Sequence, residues 1–168
     1  MTSFQRRRVI AMGLLPLIPG LALACGAQTE AQTPGPFFKP SSPERRDLRE
    51  NSAAPALVLS GLVLGADCKP VAHALLDFWH ADERGDYDNE GFRYRGHQFT
   101  DAQGRWRLDT IVPAVYPGRT RHIHVKVQRP GGRVLTTQLY FPGEPGNARD
   151  GLFSRALVLK DNKFDFVV

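Results

Sequence analysis

The sequence predicts an all-β fold, a single β-sandwich with long loops and an extended N-terminal arm. Three observations carry that prediction. From residue 56 onward, apolar residues fall in short alternating runs, the period-two pattern of half-buried strands. Among 168 residues there are 16 glycines and 13 prolines, a density of turn formers that interrupts each run before a helix of ordinary length can build. Two strand-like runs flank Pro130-Gly131-Gly132, which reads as a hairpin.

The N-terminus reads as an address and not as part of the sandwich. Arg6, Arg7 and Arg8 precede an apolar run over residues 9–24 that ends in Ala22-Leu23-Ala24, a small-x-small cleavage pattern. Pro16, Pro19 and Gly20 interrupt this run, which is too short for a transmembrane helix. Residues 1–24 are therefore expected to be an export signal, twin-arginine-like or of the Sec type, leading to the periplasm or the exterior. Cys25 would follow the cleavage point and has two mutually exclusive fates. One is a lipid anchor, the only route by which this chain would meet a membrane; the other is a disulfide with Cys68, or two separate thiols, in an oxidising compartment.

Residues 25–56 contain Pro34, Pro36, Pro40, Pro43 and Pro55 and show no sustained period, so an extended arm lying on the domain is expected. Residues 57–168 form the domain. Leu57, Leu59, Gly61 and Val63 alternate; residues 74–79 are an apolar run interrupted by Asp77; residues 105–112 follow the turn Asp101-Ala102-Gln103-Gly104. Residues 122–128 and 134–141 are the hairpin strands, with Trp79 and Trp106 expected in the core. Residues 80–100 and 142–153 are polar and are expected to be loops that carry function.

A formal net charge of +5 first suggests a nucleic-acid partner. The first 24 residues carry three arginines and no acidic side chain, leaving 144 residues with 19 basic and 17 acidic groups. The positive balance thus belongs mostly to the export signal, and nucleic acid drops from the expected partners. Collagen-like, coiled-coil and disordered classes are excluded by the same composition.

The chemistry concentrates in His122-Ile123-His124-Val125-Lys126-Val127. On a strand His122, His124 and Lys126 share one face, and Ile123, Val125 and Val127 share the apolar one. Residues two apart lie about 6.5 to 7 Å apart along a strand, so both imidazoles can converge on one metal ion. Alone, the pair also fits an ordinary exposed polar face. Its neighbours change the reading: Tyr116-Pro117-Gly118-Arg119 precedes the histidines, and Gly85-Asp86-Tyr87 follows the run ending at Trp79. Two phenolates with two imidazoles suit ferric iron, because a trivalent ion with two phenolates and one hydroxide is neutral and tolerates burial.

These residues resemble the intradiol ring-cleavage dioxygenases, the family of protocatechuate 3,4-dioxygenase and catechol 1,2-dioxygenase. The resemblance runs from Thr33-Pro34-Gly35-Pro36-Phe37-Phe38 through Leu59-Ser60-Gly61, Pro70-Val71, Leu76-Asp77-Phe78 and Gly85-Asp86-Tyr87 to the C-terminal hairpin. It implies non-haem Fe(III) held by Tyr87, Tyr116, His122 and His124, with O2 as co-substrate and a catechol-type small molecule as substrate. It further implies that Tyr116 acts as a base after releasing the metal, that Arg119 stabilises negative charge on the substrate ring, and that Gln138 and residues 34–38 shape the pocket. Ring opening between the hydroxylated carbons would give a muconate-type dicarboxylate. Cys68 stands where the family more often has Gly or Ser. The helical dimerisation segment of the catechol enzymes is missing, so the chain is more similar to one protocatechuate-type subunit or to small secreted members, with a homo-oligomer as one expectation.

Plain readings stand beside these. Tyr87 and Tyr116 also suit a sandwich rim; Arg121 reads as a solvated charge; His73, His80 and His97 as ordinary polar residues; Tyr94 and Tyr140 as packing or rim. Two other functions compete. Gly61-Leu62-Val63, residues 69–74 and residues 100–106 also resemble the carboxypeptidase regulatory-type sandwich, a non-catalytic binding module. An exported zinc or copper protein would use the histidines and leave the tyrosines dispensable.

Overall fold

The computed structural model describes residues 26–168, so the expected export signal and both fates of Cys25 lie outside the described residues. Among the described residues seven strands follow one another: β1 (Ala56–Leu64), β2 (Leu75–Trp79), β3 (Arg95–Phe99), β4 (Arg105–Ile111), β5 (His122–Gln128), β6 (Val134–Tyr140) and β7 (Phe166–Val167). A 3-10 turn, Arg155–Leu157, begins at Ser154, whose hydroxyl accepts the Ala156 N–H. The all-β class is as expected.

Two sheets form, one ordered β4-β1-β7 and the other β3-β2-β5-β6. Alternation decides which side chains meet between them. Leu57, Leu59 and Val63 of β1 and Leu108 of β4 face Leu76 and Phe78 of β2, Ile123, Val125 and Val127 of β5, and Leu139 of β6, all buried in one cluster. Each such aliphatic side chain removed from water contributes about 1.5 to 3 kcal/mol before entropic costs.

Two strands differ from expectation. β3 lies within the stretch expected as loop, because Arg95-Gly96-His97-Gln98-Phe99 has no apolar alternation to announce it. Its pairing with β2 on one side and the arm on the other makes it a strand: the Arg45 N–H donates to His97 O and the His97 N–H to Pro43 O. β7 is only two residues long and pairs in parallel with β1 at Val63 and Leu64, too short for any periodic signal.

The arm is extended and tied down along its length. Thr29 N–H donates to Val167 O and Gln32 N–H to Thr136 O, after which the chain crosses the outer face of the four-stranded sheet. It then bridges Glu44 to His97 and Asp47 to Asp109, buries Leu48 completely, and enters β1.

Candidate metal centre

The hairpin register builds the site. With Gln128 opposite Val134, antiparallel pairing sets Gln138 opposite His124 and Tyr140 opposite His122. On the other flank β2 sets Trp79 opposite His124, and β3 sets Arg95 opposite Trp79. Directly opposed residues share a face, so Arg95, Trp79, His124 and Gln138 form one row across the outer side of the sheet. This face is not the solvated one that a polar strand pattern suggests: His122 is 5% and His124 3% exposed, because the arm covers them.

Within that layer the nitrogens and oxygens converge. His122 Nε2 and His124 Nε2 lie 3.2 Å apart, and the Tyr87 hydroxyl lies 3.3 Å from His122 Nε2. His122 Nδ1 is 2.6 Å from Thr120 O; a carbonyl only accepts, so this nitrogen carries the proton and Nε2 offers its lone pair. Burial, with the positive charge of Arg119 adding to it, pushes His122 down to about 4. His124 is held well below its ordinary value by burial and then by its neighbouring histidine. Both rings are neutral at ordinary pH and suited to a cation.

Two loops bring in the phenols. Asp82 Oδ1 accepts the N–H groups of Arg84 and Asp86, folding the tight turn that presents Tyr87. Gly85, at φ +94°, lets this turn press against the Val115 carbonyl, where a Cβ would lie only 2.5 Å from the oxygen. Tyr116 is the next residue, and its ring stands edge-on to Tyr87 at 5.9 Å between centroids. Tyr87 is buried, which raises its phenol well above the usual value despite Arg119 and Arg95 nearby. Tyr116 is half-buried, and among the described residues its hydroxyl makes no hydrogen bond.

The arm supplies the lid of this layer. Phe37 stacks on Tyr87 at 4.3 Å and meets Tyr116 edge-on at 5.3 Å. Gly35, at φ +65°, passes so close over His124 that a Cβ there would touch the ring at 3.5 Å. Gln138 is held from both sides, donating to Thr33 O of the arm and accepting from Arg119 at 2.7 Å. Arg119 also forms an ion pair with Asp150, 2.9 Å from Nε, and Asp150 accepts the Thr120 and Leu152 N–H groups. Burial alone would raise the Asp150 carboxyl, but those donors and Arg119 hold it below its ordinary value.

The spacing of the two imidazoles fits a shared metal ion. Two imidazole nitrogens bound to one cation at about 2.1 Å each, and about 100° apart, are separated by about 3.2 Å. Among the described residues no group of three or more His, Cys, Asp or Glu is placed to hold a metal. Further protein ligands for an ion at the histidines would therefore be the phenols.

A family model described as a dioxygenase matches residues 34–160, a span that includes both tyrosines, both histidines, Arg119 and Gln138. The chain belongs to the intradiol ring-cleavage dioxygenase family. It is 30% identical over 154 residues to catechol 1,2-dioxygenase of Acinetobacter baylyi, covering 74% of this chain and 50% of that one. It is 36% identical over 115 residues to the protocatechuate 3,4-dioxygenase beta chain of Burkholderia cepacia, covering 58% and 49%. It thus spans about half the length of these relatives. Among solved structures, the dioxygenase domain of a dioxygenase–carbohydrate-binding fusion from Streptomyces sp. SirexAA-E superposes with TM-score 0.81 at 53% identity, covering 84% of this chain and 98% of that domain.

In this intradiol dioxygenase chain all six residues singled out from sequence fall in one region, while several neighbours escaped notice. Trp79 is buried as expected, but in a second cluster with Ala81 and Tyr87 on the outer face, not between the sheets. Tyr140 is fully buried and no rim residue: its hydroxyl lies 2.7 Å from Leu152 O and 2.8 Å from Gln32 Oε1, and burial pushes it up to about 12. The hairpin register alone would have found Tyr140, opposite His122. Asp150 and Arg95 had no such local signal. Arg121 is not simply solvated, since it pairs with Glu144 at 2.8 Å and donates to Pro113 O. His80 is completely buried, with Nε2 against Thr110 Oγ1 and Nδ1 against Ala81 O, both at 2.7 Å.

Proposed function

We propose that the chain is a non-haem Fe(III) dioxygenase that uses O2 to open a catechol-type ring between its two hydroxylated carbons, giving a muconate-type dicarboxylate. The buried set of two neutral imidazoles with Nε2 atoms 3.2 Å apart and a phenol oxygen 3.3 Å from one of them carries this reading. His122 and His124 would hold the ion through Nε2, and Tyr87 and Tyr116 through their phenolate oxygens. A ferric ion there would supply Lewis acidity, drawing electron density from a bound catecholate so that the ring reacts with O2.

The side chains divide the remaining work. Tyr87 is buried and sandwiched by Phe37, which suits a permanent ligand. Tyr116 is half-buried with an unengaged hydroxyl, which suits a group that exchanges a metal bond for a substrate proton. Arg119, aimed by Asp150 and Gln138, supplies a fixed positive charge where ring carbanion character develops. Phe37 and the arm keep bulk water from the layer beneath them. The names of the two curated relatives point to a catechol or a protocatechuate as the substrate class. A non-catalytic sandwich module would leave this buried donor set without a role.

Export is proposed on the strength of Arg6, Arg7, Arg8 and the apolar run that follows, and sequencing the N-terminus of the secreted protein tests it. The activity is tested by oxygen uptake with the iron-loaded protein against a panel of catechols, with product identification. Uptake with formation of a ring-opened dicarboxylate is expected. An iron-loaded, folded protein that consumes no O2 with any catechol refutes the proposal.

A further inference from the structure

Arg95 is 2% exposed and forms no salt bridge among the described residues, unlike Arg119 and Arg121, which each pair with a carboxylate. Its hydrogen bonds go to backbone: Nε donates to Asp88 O at 3.0 Å, and one terminal nitrogen to Phe37 O at 2.5 Å. The other terminal nitrogen is buried without a hydrogen-bond partner among the described residues. A buried cation lacking a counter-charge is costly, and two neutral carbonyls offset only part of that cost.

The two carbonyls bracket one side chain. Asp88 follows Tyr87 directly, and Phe37 lies flat on the Tyr87 ring at 4.3 Å. A single guanidinium fork therefore ties the loop that carries Tyr87 to the arm segment that covers it. The Asp88 carboxylate is engaged by the N–H groups of Glu90, Gly91 and Arg93 and forms no ion pair with the guanidinium among the described residues.

We propose that Arg95 is a positioning residue for Tyr87, clamping its ring between loop and arm through two carbonyls and placing a fixed positive charge beside the loop and arm that hold it. This rests on the reading of the site as a ferric centre. It gives the fork geometry of arginine a purpose that lysine would meet only in charge.

The test uses the full-length protein and two variants, Arg95→Met and Arg95→Lys, loaded with Fe(III). Affinity for the ion is read by competition with a chelator, and the tyrosinate-to-iron charge-transfer band is read by absorption. Removing the charge raises the energy of the phenolate electrons, so Arg95→Met is expected to move the band to longer wavelength and weaken iron binding by about 10- to 100-fold. Arg95→Lys is expected to keep the band near its wild-type position while still weakening binding. A Met variant with wild-type band and affinity overturns the inference, as does a Lys variant whose band moves as far as that of Met. If Arg95→Met does not fold, wild-type affinity in Arg95→Lys overturns it alone. A wild-type protein that shows no visible band with Fe(III) instead sinks the ferric-site reading underneath, so the two failures are distinguishable.

Discussion

The indole of Trp79 lies flat on the imidazole of His124, with ring centroids 4.8 Å apart and planes 4° apart. The contact matters because the two imidazoles are held differently. His122 is anchored by Nδ1 on Thr120 O, whereas His124 Nδ1 is buried without a hydrogen-bond partner among the described residues. Stacking thus does for one candidate ligand what a hydrogen bond does for the other.

Trp79→Ala should therefore weaken iron binding about tenfold or more and destabilise the fold by about 3 to 5 kcal/mol, whereas Trp79→Phe should restore most of the affinity. Chelator competition and urea denaturation measure the two effects. Equal affinities for the Ala and Phe variants would show that the stack does not position His124.

Asp150→Ala should leave Arg119 without its ion-pair partner while removing an acceptor for two backbone N–H groups. Asp150's side chain is 2% exposed and Arg119's 18%, so a loss near the lower end for buried pairs is expected, about 3 kcal/mol. Because Arg119 also aims at Gln138, kcat should fall more than KM rises. An activity loss confined to KM would remove Arg119 from the reacting ring.

Tyr116→Phe and Tyr87→Phe should behave differently although both change the colour of the iron-loaded protein. Loss of Tyr116, the half-buried phenol with the unengaged hydroxyl, should lower turnover by about 100-fold or more while iron stays bound. Loss of Tyr87, buried against His122, should chiefly lower iron affinity. Undiminished turnover in Tyr116→Phe removes its role as a base.

His80 makes the metal-free protein sensitive to acid. Burial holds it at about 4, against an ordinary value near 6.5. The unfolded chain therefore binds a proton that the folded chain refuses, so the contribution to stability is complete above pH 6.5 and is lost as pH falls towards 4. The cumulative loss from this residue is about 3 kcal/mol. Urea midpoints at pH 7.5 and 5 should differ, and His80→Gln should flatten the difference, in about the proportion that one residue supplies. An unchanged pH dependence in His80→Gln would assign the acid sensitivity to other groups.

Much of this molecule can be read along the chain because its signals are local. Residues 122–128 alternate strictly, so the strand, its turn at Pro130-Gly131-Gly132 and the common face of the two histidines follow from spacing alone. β3 escaped because an edge strand of Arg, Gly, His and Gln has no apolar period, and its strand geometry comes from partners elsewhere in the chain. Tyr140 sits between these cases, since pairing register places it opposite His122 but only burial reveals its hydroxyl beside Leu152 and Gln32.

By itself, then, the sequence determined the sandwich class, the hairpin and which side chains could face a metal, all consequences of a period of two and of turn chemistry. Tertiary structure decided that this face is covered rather than wet. An arm segment lays Gly35 over His124, 89 residues further along the chain, and Phe37 over Tyr87, 50 residues further, and a loop beyond β6 lends Asp150 to Arg119. Those contacts join segments with no shared periodicity, so they exist only once the two sheets have packed and given the arm a surface to cross.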